Sequence, residues 1–147
     1  MLLEVALRPV LRKPRRVTLQ QLVSDPQIGD YSSAYCWALD EAEARAEKVR
    51  AAFTREAARD FYDLKALAGK GADFVSPSFR KLVDAKLAEI GAKPLAEQLP
   101  SFGLTPARRL RLESSLQKDL PSVVRLGEPQ LSLDGIIERF DALWARP

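Results

Sequence analysis

Leu39–Leu67, LDEAEARAEKVRAAFTREAARDFYDLKAL, decides how this chain folds and holds most of the side chains that could carry chemistry: Lys48, Arg50, Arg55, Arg59, Asp60 and Asp63. Its alanines favour helix strongly. Asp40 is a good N-cap, and Glu43, three residues on, completes the pattern of a capping box. Ala42, Ala46, Val49, Ala52 and Phe53 recur at helical spacing, which predicts a helix from Asp40 to about Thr54. A second helix, from about Ala57 to Ala68, turns Phe61, Leu64 and Leu67 or Ala68 inward and is closed by Gly69 and Gly71.

The spacing of the charged residues sets a condition. Lys48 and Asp63 are 15 positions apart. On one straight helix they would stand about 22 Å apart, at about 1.5 Å per residue. They share a site only if the helix breaks near Thr54–Glu56 and the second half folds back. No Gly or Pro forces that break, and Thr54 is the only local signal for it. Within the second helix, Arg59 and Asp63 are four apart and Asp60 and Asp63 three apart, so both pairs adjoin on its surface. Each also has a plain structural reading. Arg59–Asp63 can be an ordinary surface pair, and Asp60 suits the first turn of a helix, where negative charge is favoured.

Upstream, Leu3, Val5 and Leu7 alternate with Glu4, Ala6 and Arg8, a period of two that predicts a strand. Pro9 and the basic run Leu11–Arg16, LRKPRR, end it. That run reads as a solvated loop or, alternatively, as a loop facing phosphate, since clustered Lys and Arg attract nucleic acid whatever its sequence. Thr18–Val23 fits either a strand or a helical turn, and Ser33–Leu39, with two aromatic residues, has strand character. Cys36 reads as a small buried residue in a strand, and Trp37 and Trp144 read as packing residues rather than as base-stacking platforms. Two strands alone do not make an independently stable sheet.

Downstream, helices alternate with short Pro-containing turns. Ser76-Pro77 starts one, with Phe79, Leu82, Val83 and Leu87 as its apolar stripe and Gly91 as its stop. Pro94–Leu99 is a short helical piece. Thr105-Pro106 starts another, which buries Leu112, Leu116 and Leu120, exposes Arg108, Arg109 and Arg111, and ends at Pro121. Those arginines form a solvated or an RNA-facing surface. The last helix has Ser132 as cap, Leu131 and Ile136 at staple positions, and Leu133, Ile136, Ile137, Phe140, Leu143 and Trp144 at helical spacing.

Composition bounds the remainder. A chain of 147 residues, 46% of them hydrophobic, is long and apolar enough for one domain with a core. Its 23 basic and 20 acidic residues give a net charge of +3, so any nucleic-acid reading rests on local clustering. The lone Cys36 allows no internal disulfide and fits a reducing compartment. Lacking histidine, the chain has no Ser-His-Asp triad and no His-based acid–base catalysis. No run of about 18 apolar residues predicts a membrane span, so the expectation is a soluble cytoplasmic protein.

The segment AEKVRAAFTREAARDFYDL resembles the signature of the AbiEii-type nucleotidyltransferases, the toxin half of abortive-infection and type IV toxin–antitoxin pairs. The pattern there is Glu-Lys-x-Arg-Ala, an Arg, then Arg-Asp-aromatic/apolar-x-Asp-Leu. Glu47, Lys48, Arg50, Ala51, Arg55, Arg59, Asp60, Asp63 and Leu64 match it. The strand LLEVAL, with Glu4, resembles the strand that carries a further acid. The Gly-Ser dipeptide with paired acids, which such enzymes carry on an N-terminal strand and helix, does not occur in this sequence. The fold expected is therefore α+β and predominantly helical: a single domain in which residues 1–39 are a remnant of the nucleotidyltransferase sheet and 40–147 a helical bundle. It resembles the C-terminal part of that fold, or a shortened relative.

The resemblance implies transfer of a nucleotide from a nucleoside triphosphate to an acceptor such as transfer RNA, with magnesium (Mg) ions held once the Gly-Ser and acidic motif is supplied. Glu4 would complete the metal carboxylates. Lys48 would bind triphosphate, Arg55 and Arg59 would hold phosphate oxygens, and Asp63 would orient Lys48 or help deprotonate the acceptor. The basic loop Arg12–Arg16 would suit RNA. The alternative is a non-catalytic helical module that binds a protein partner or RNA. An incomplete sheet leaves an edge that a second copy could cover, which makes a homodimer an expectation too.

Overall fold

The computed structural model describes residues 9–18, 35–55, 57–69, 71–99, 105–118 and 132–144. Glu4 and its strand, Leu120, Pro121 and Leu131 lie outside them. Strands β1 (Arg15–Thr18) and β2 (Tyr35–Ala38) are followed by helices α1 (Glu41–Arg55), α2 (Ala58–Gly69), α3 (Pro77–Ala88), α4 (Leu95–Gln98), α5 (Pro106–Lys118) and α6 (Leu133–Ala142). The fold is α+β and predominantly helical, as expected. Among the described residues no helix is long and apolar enough to cross a membrane. The chain divides into two compact units, Met1–Ala44 and Arg45–Pro147, with the division inside α1.

In the first unit, β1 and β2 pair antiparallel with Arg15 opposite Ala38, Arg16 opposite Trp37, Val17 opposite Cys36 and Thr18 opposite Tyr35. The basic run is therefore only partly loop, because Arg15 and Arg16 find ladder partners in β2. Two expectations fail on this ribbon. Cys36 is exposed rather than buried, and Trp37 is exposed rather than packed. Asp40 caps α1 as predicted, its Oδ1 accepting from the N–H groups of Ala42 at 3.0 Å and Glu43 at 3.3 Å. Glu43 is fully buried and accepts the Leu11 and Arg12 N–H groups at 2.8 and 2.7 Å, so its carboxylate ties the incoming loop to the helix start.

The second unit has one apolar core. Ala46, Val49, Ala52 and Phe53 of α1 are buried, with Phe61 and Leu64 of α2, Phe79, Leu82, Val83 and Leu87 of α3, Leu112 of α5, and Leu133, Ile136 and Phe140 of α6. Aromatic rings meet edge to face in an unbroken series: Phe53 and Phe61 both against Phe140, Phe140 against Trp144, Trp144 against Phe74, and Phe74 against Phe79, with centroids 5.2–6.0 Å apart. Edge-to-face contacts of this kind add to the burial of apolar area.

The predicted caps form. Ser76 accepts the Phe79 N–H, with Pro77 at the first helical position; Thr105 accepts the Arg108 N–H; Ser132 accepts the Gly135 N–H. Each satisfies a donor that a helix start otherwise leaves open. Gly91 follows α3 at φ +67°, in the left-handed conformation that ends a helix.

Candidate functional site

α1 ends at Arg55 and α2 begins at Ala58, so the helix breaks where the site requires it. Thr54 turns its hydroxyl back to the Arg50 carbonyl at 3.0 Å, a contact that competes weakly with helix continuation. Helix α5 also contacts both ends of the break. Arg108 donates through Nη2 to the carbonyls of Phe53 at 3.1 Å and Ala52 at 3.3 Å, satisfying acceptors that the end of α1 leaves open. Ser115, two turns further along α5, accepts the Ala58 N–H at 3.0 Å and so caps the start of α2. Arg108, expected on an exposed face, is half-buried because this contact holds it down.

Across the break, Lys48 Nζ reaches Asp63 Oδ2 at 2.5 Å and lies 3.9 Å from Asp60 Oδ1. Lys48 and Asp63 are each partly exposed, whereas Asp60 is 1% exposed and its Oδ2 has no hydrogen-bond partner among the described residues. Burial pushes the Asp60 carboxyl above its usual range; the charges of Lys48, Arg55 and Arg59 pull it back, and Asp63 pushes it further up. Arg55 closes α1 and Arg59 opens α2, both exposed and both near enough to act on Asp60. Across the break, Lys48 and Asp63 are thus in contact, and the charges of Arg55 and Arg59 reach Asp60.

The rest of the Glu-Lys-x-Arg pattern points elsewhere. Arg50 Nε donates to Glu47 Oε2 at 2.8 Å, and Arg50 is 5% exposed. Glu47 Oε1 lies 3.3 Å from Lys86 Nζ, which is 3.2 Å from Glu89 Oε1. Burial alone would raise the Glu47 carboxyl, but Arg50 and Lys86 together hold it below its ordinary value. Glu47 and Arg50 therefore fix α1 against α3, while Lys48, one position on, faces Asp63. Sequence reasoning missed Lys86 and Arg108. Both carried a signal: Lys86 interrupts the stripe Leu82, Val83, Leu87, and Arg108 shares a helix face with Leu112 and Ser115.

The partly exposed Lys48 can offer a cation to an anion. An ammonium has three donors; among the described residues one is directed to Asp63, and the partly exposed group can turn others to a phosphate oxygen. A magnesium ion does not fit here. The described residues contain no group of three metal-ligating side chains, and the cation between Asp60 and Asp63 is the Lys48 ammonium itself.

One family model matches the chain, described as nucleotidyl transferase AbiEii toxin of type IV toxin–antitoxin systems, over residues 1–146. No curated protein and no solved structure matches.

Proposed function

Given that the chain belongs to the AbiEii family of nucleotidyl transferase toxins of type IV toxin–antitoxin systems, we propose that the Lys48–Asp63 pair is the triphosphate-binding portion of a nucleotidyl transfer site. The observation that carries this reading is the 2.5 Å contact between two charged residues on helices that would keep them about 22 Å apart if unbroken. Such a break, held from α5, has its clearest use in bringing these groups together.

In this reading Lys48 takes an oxygen of the triphosphate as a compact point charge. Arg55 and Arg59 hold further phosphate oxygens through planar forks. Asp63 orients the ammonium and, when the acceptor hydroxyl enters, accepts its proton. Asp60 stays behind Lys48 as a buried support. The acceptor is an RNA such as transfer RNA, and the antitoxin of the pair is the protein partner. Divalent metal is general to nucleotidyltransferases; here Glu4, with the acids of a Gly-Ser segment not contained in these 147 residues, would hold magnesium, which stabilises charge on the attacking and leaving oxygens. The chain accordingly acts as the C-terminal part of such an enzyme or as a shortened relative, in the cytoplasm.

The test incubates the chain with magnesium, labelled nucleoside triphosphates and transfer RNA, alone and with a Gly-Ser–acidic segment of the family added. Nucleotide transfer that disappears on Lys48→Ala is the expected result. No transfer in either mixture, together with no binding of triphosphate, would leave a non-catalytic binding module as the correct description.

A further inference from the structure

We propose that the β1–β2 ribbon is a stacking platform for single-stranded RNA, with Trp37 as its exposed base-contacting ring. The pairing places Arg16 opposite Trp37 and Thr18 opposite Tyr35, so these four side chains share one face of the ribbon. Trp37 is 67% exposed and Tyr35 52% exposed. The Arg16 guanidinium lies 3.4 Å from the Tyr35 ring centroid, leaning along the ribbon and leaving the Trp37 ring uncovered. A large aromatic side chain normally contributes more buried area than any other, so one left in solvent beside a second aromatic is informative.

Charge identifies the occupant. Neither strand carries an acidic residue; Arg16 lies on the Trp37 face and Arg15 on the opposite one, with Arg12 and the exposed Lys13 leading into the ribbon. Arg12 and Arg15 have carboxylates nearby, Asp40 at 3.5 Å and Glu41 at 3.8 Å; Arg16 instead stacks on an aromatic ring. Two aromatic rings with one guanidinium, that of Arg16, on the same face suit bases with an adjoining phosphate, and an aliphatic protein surface would have no use for Arg16 in the middle of the patch. The rings require unpaired bases, because paired ones expose only edges in the grooves of a helix. Tyr35 and Trp37 are about 6.6 Å apart along the strand, at about 3.3 Å per residue, so a base on Trp37 would adjoin the Arg16–Tyr35 stack. The identity of the strand as RNA rests on the acceptor reading above; the platform does not involve Lys48.

The experiment titrates the full chain with a 12-residue oligouridylate and follows tryptophan emission. Trp144 is buried, so the solvent-exposed component reports Trp37. The expected result is saturable quenching of that component, absent in Trp37→Leu. Binding of the labelled oligonucleotide to Trp37→Leu should weaken about tenfold and recover largely in Trp37→Phe. Arg16→Ala should lower the slope of log affinity against log salt by about 0.7. Lys48→Ala should bind the oligonucleotide unchanged, even if that variant has lost triphosphate, which separates this result from the nucleotide-site reading. The quench is read on the unaltered chain, so it stands whether or not each variant folds. An unquenched Trp37, a uridylate–adenylate duplex bound as tightly as the single strand, or a Trp37 emission that changes with protein concentration alone would overturn the proposal, the last in favour of a second copy on this face.

Discussion

Arg108 and Ala52 are 56 residues apart, yet the Arg108 guanidinium sits 3.3 Å from the Ala52 carbonyl and 3.1 Å from that of Phe53, closing the end of α1 from a different helix. The same face of α5 carries Ser115 to the start of α2. Contacts from α5 thus close both helix ends at the break that brings Lys48 to Asp63.

Replacing Arg108 with Ala should therefore cost about 1.5–3 kcal/mol, the range for hydrogen bonds made by a charged group. It should also weaken triphosphate binding, although Arg108 stands apart from the Lys48–Asp63 contact. Urea unfolding and nucleotide titration measure the two effects. Arg108→Lys keeps the charge but not the fork, so it should recover only part of either. Stability lost with unchanged nucleotide affinity would show that the break does not depend on this cap.

Asp60 makes a prediction for pH. Burial holds its carboxyl above the ordinary value of 3.8 against the pull of Lys48, Arg55 and Arg59. The folded chain keeps a proton there at pH values where the unfolded chain has released it. This group's contribution to stability is complete below 3.8 and is lost as pH rises from there through the raised folded value. Asp60→Asn lacks that loss, so its unfolding free energy should gain on the wild type between pH 4 and pH 7. Urea denaturation at several pH values checks this; a difference that stays constant with pH contradicts it.

Lys86 is 1% exposed between Glu47 and Glu89. Lys86→Met should cost about 3 kcal/mol, because it leaves two part-buried carboxylates short of a buried cation. Adding Glu89→Gln should restore part of the loss. Thermal unfolding of the three proteins decides it, and a neutral Lys86→Met would show that Arg50 alone suffices for Glu47.

Phe140 is 2% exposed and meets Phe53, Phe61 and Trp144. Phe140→Ala should destabilise by about 3–5 kcal/mol through the cavity it leaves. Phe140→Leu should cost less, as a swap closer in volume. Denaturant midpoints provide the comparison.

Helix positions were legible in the sequence because caps and apolar spacing are local. Asp40, Ser76, Thr105 and Ser132 each cap as read. The Lys48–Asp63 contact was legible only as a condition, since its cause lies in Arg108 and Ser115, far along the chain. Trp37 and Cys36 were misread because strand residues pack or face solvent according to what covers each sheet face, which period alone does not reveal. Lys86 was overlooked because a charged residue in an apolar stripe reads as an interruption until its acidic partners are known.

The central claim, that Lys48 and Asp63 form a triphosphate site, is tested most directly by calorimetric titration of the chain with each nucleoside triphosphate in magnesium buffer. Wild type should bind at least one of them. Lys48→Ala should weaken that binding tenfold or more, and the exchanged pair Lys48→Asp with Asp63→Lys should not restore it. Since the pair is partly exposed and worth no more than about 1 kcal/mol to folding, neither variant should unfold. Wild-type affinity in Lys48→Ala, or full recovery in the exchanged pair, would contradict the claim and leave the contact as a helix-to-helix tie.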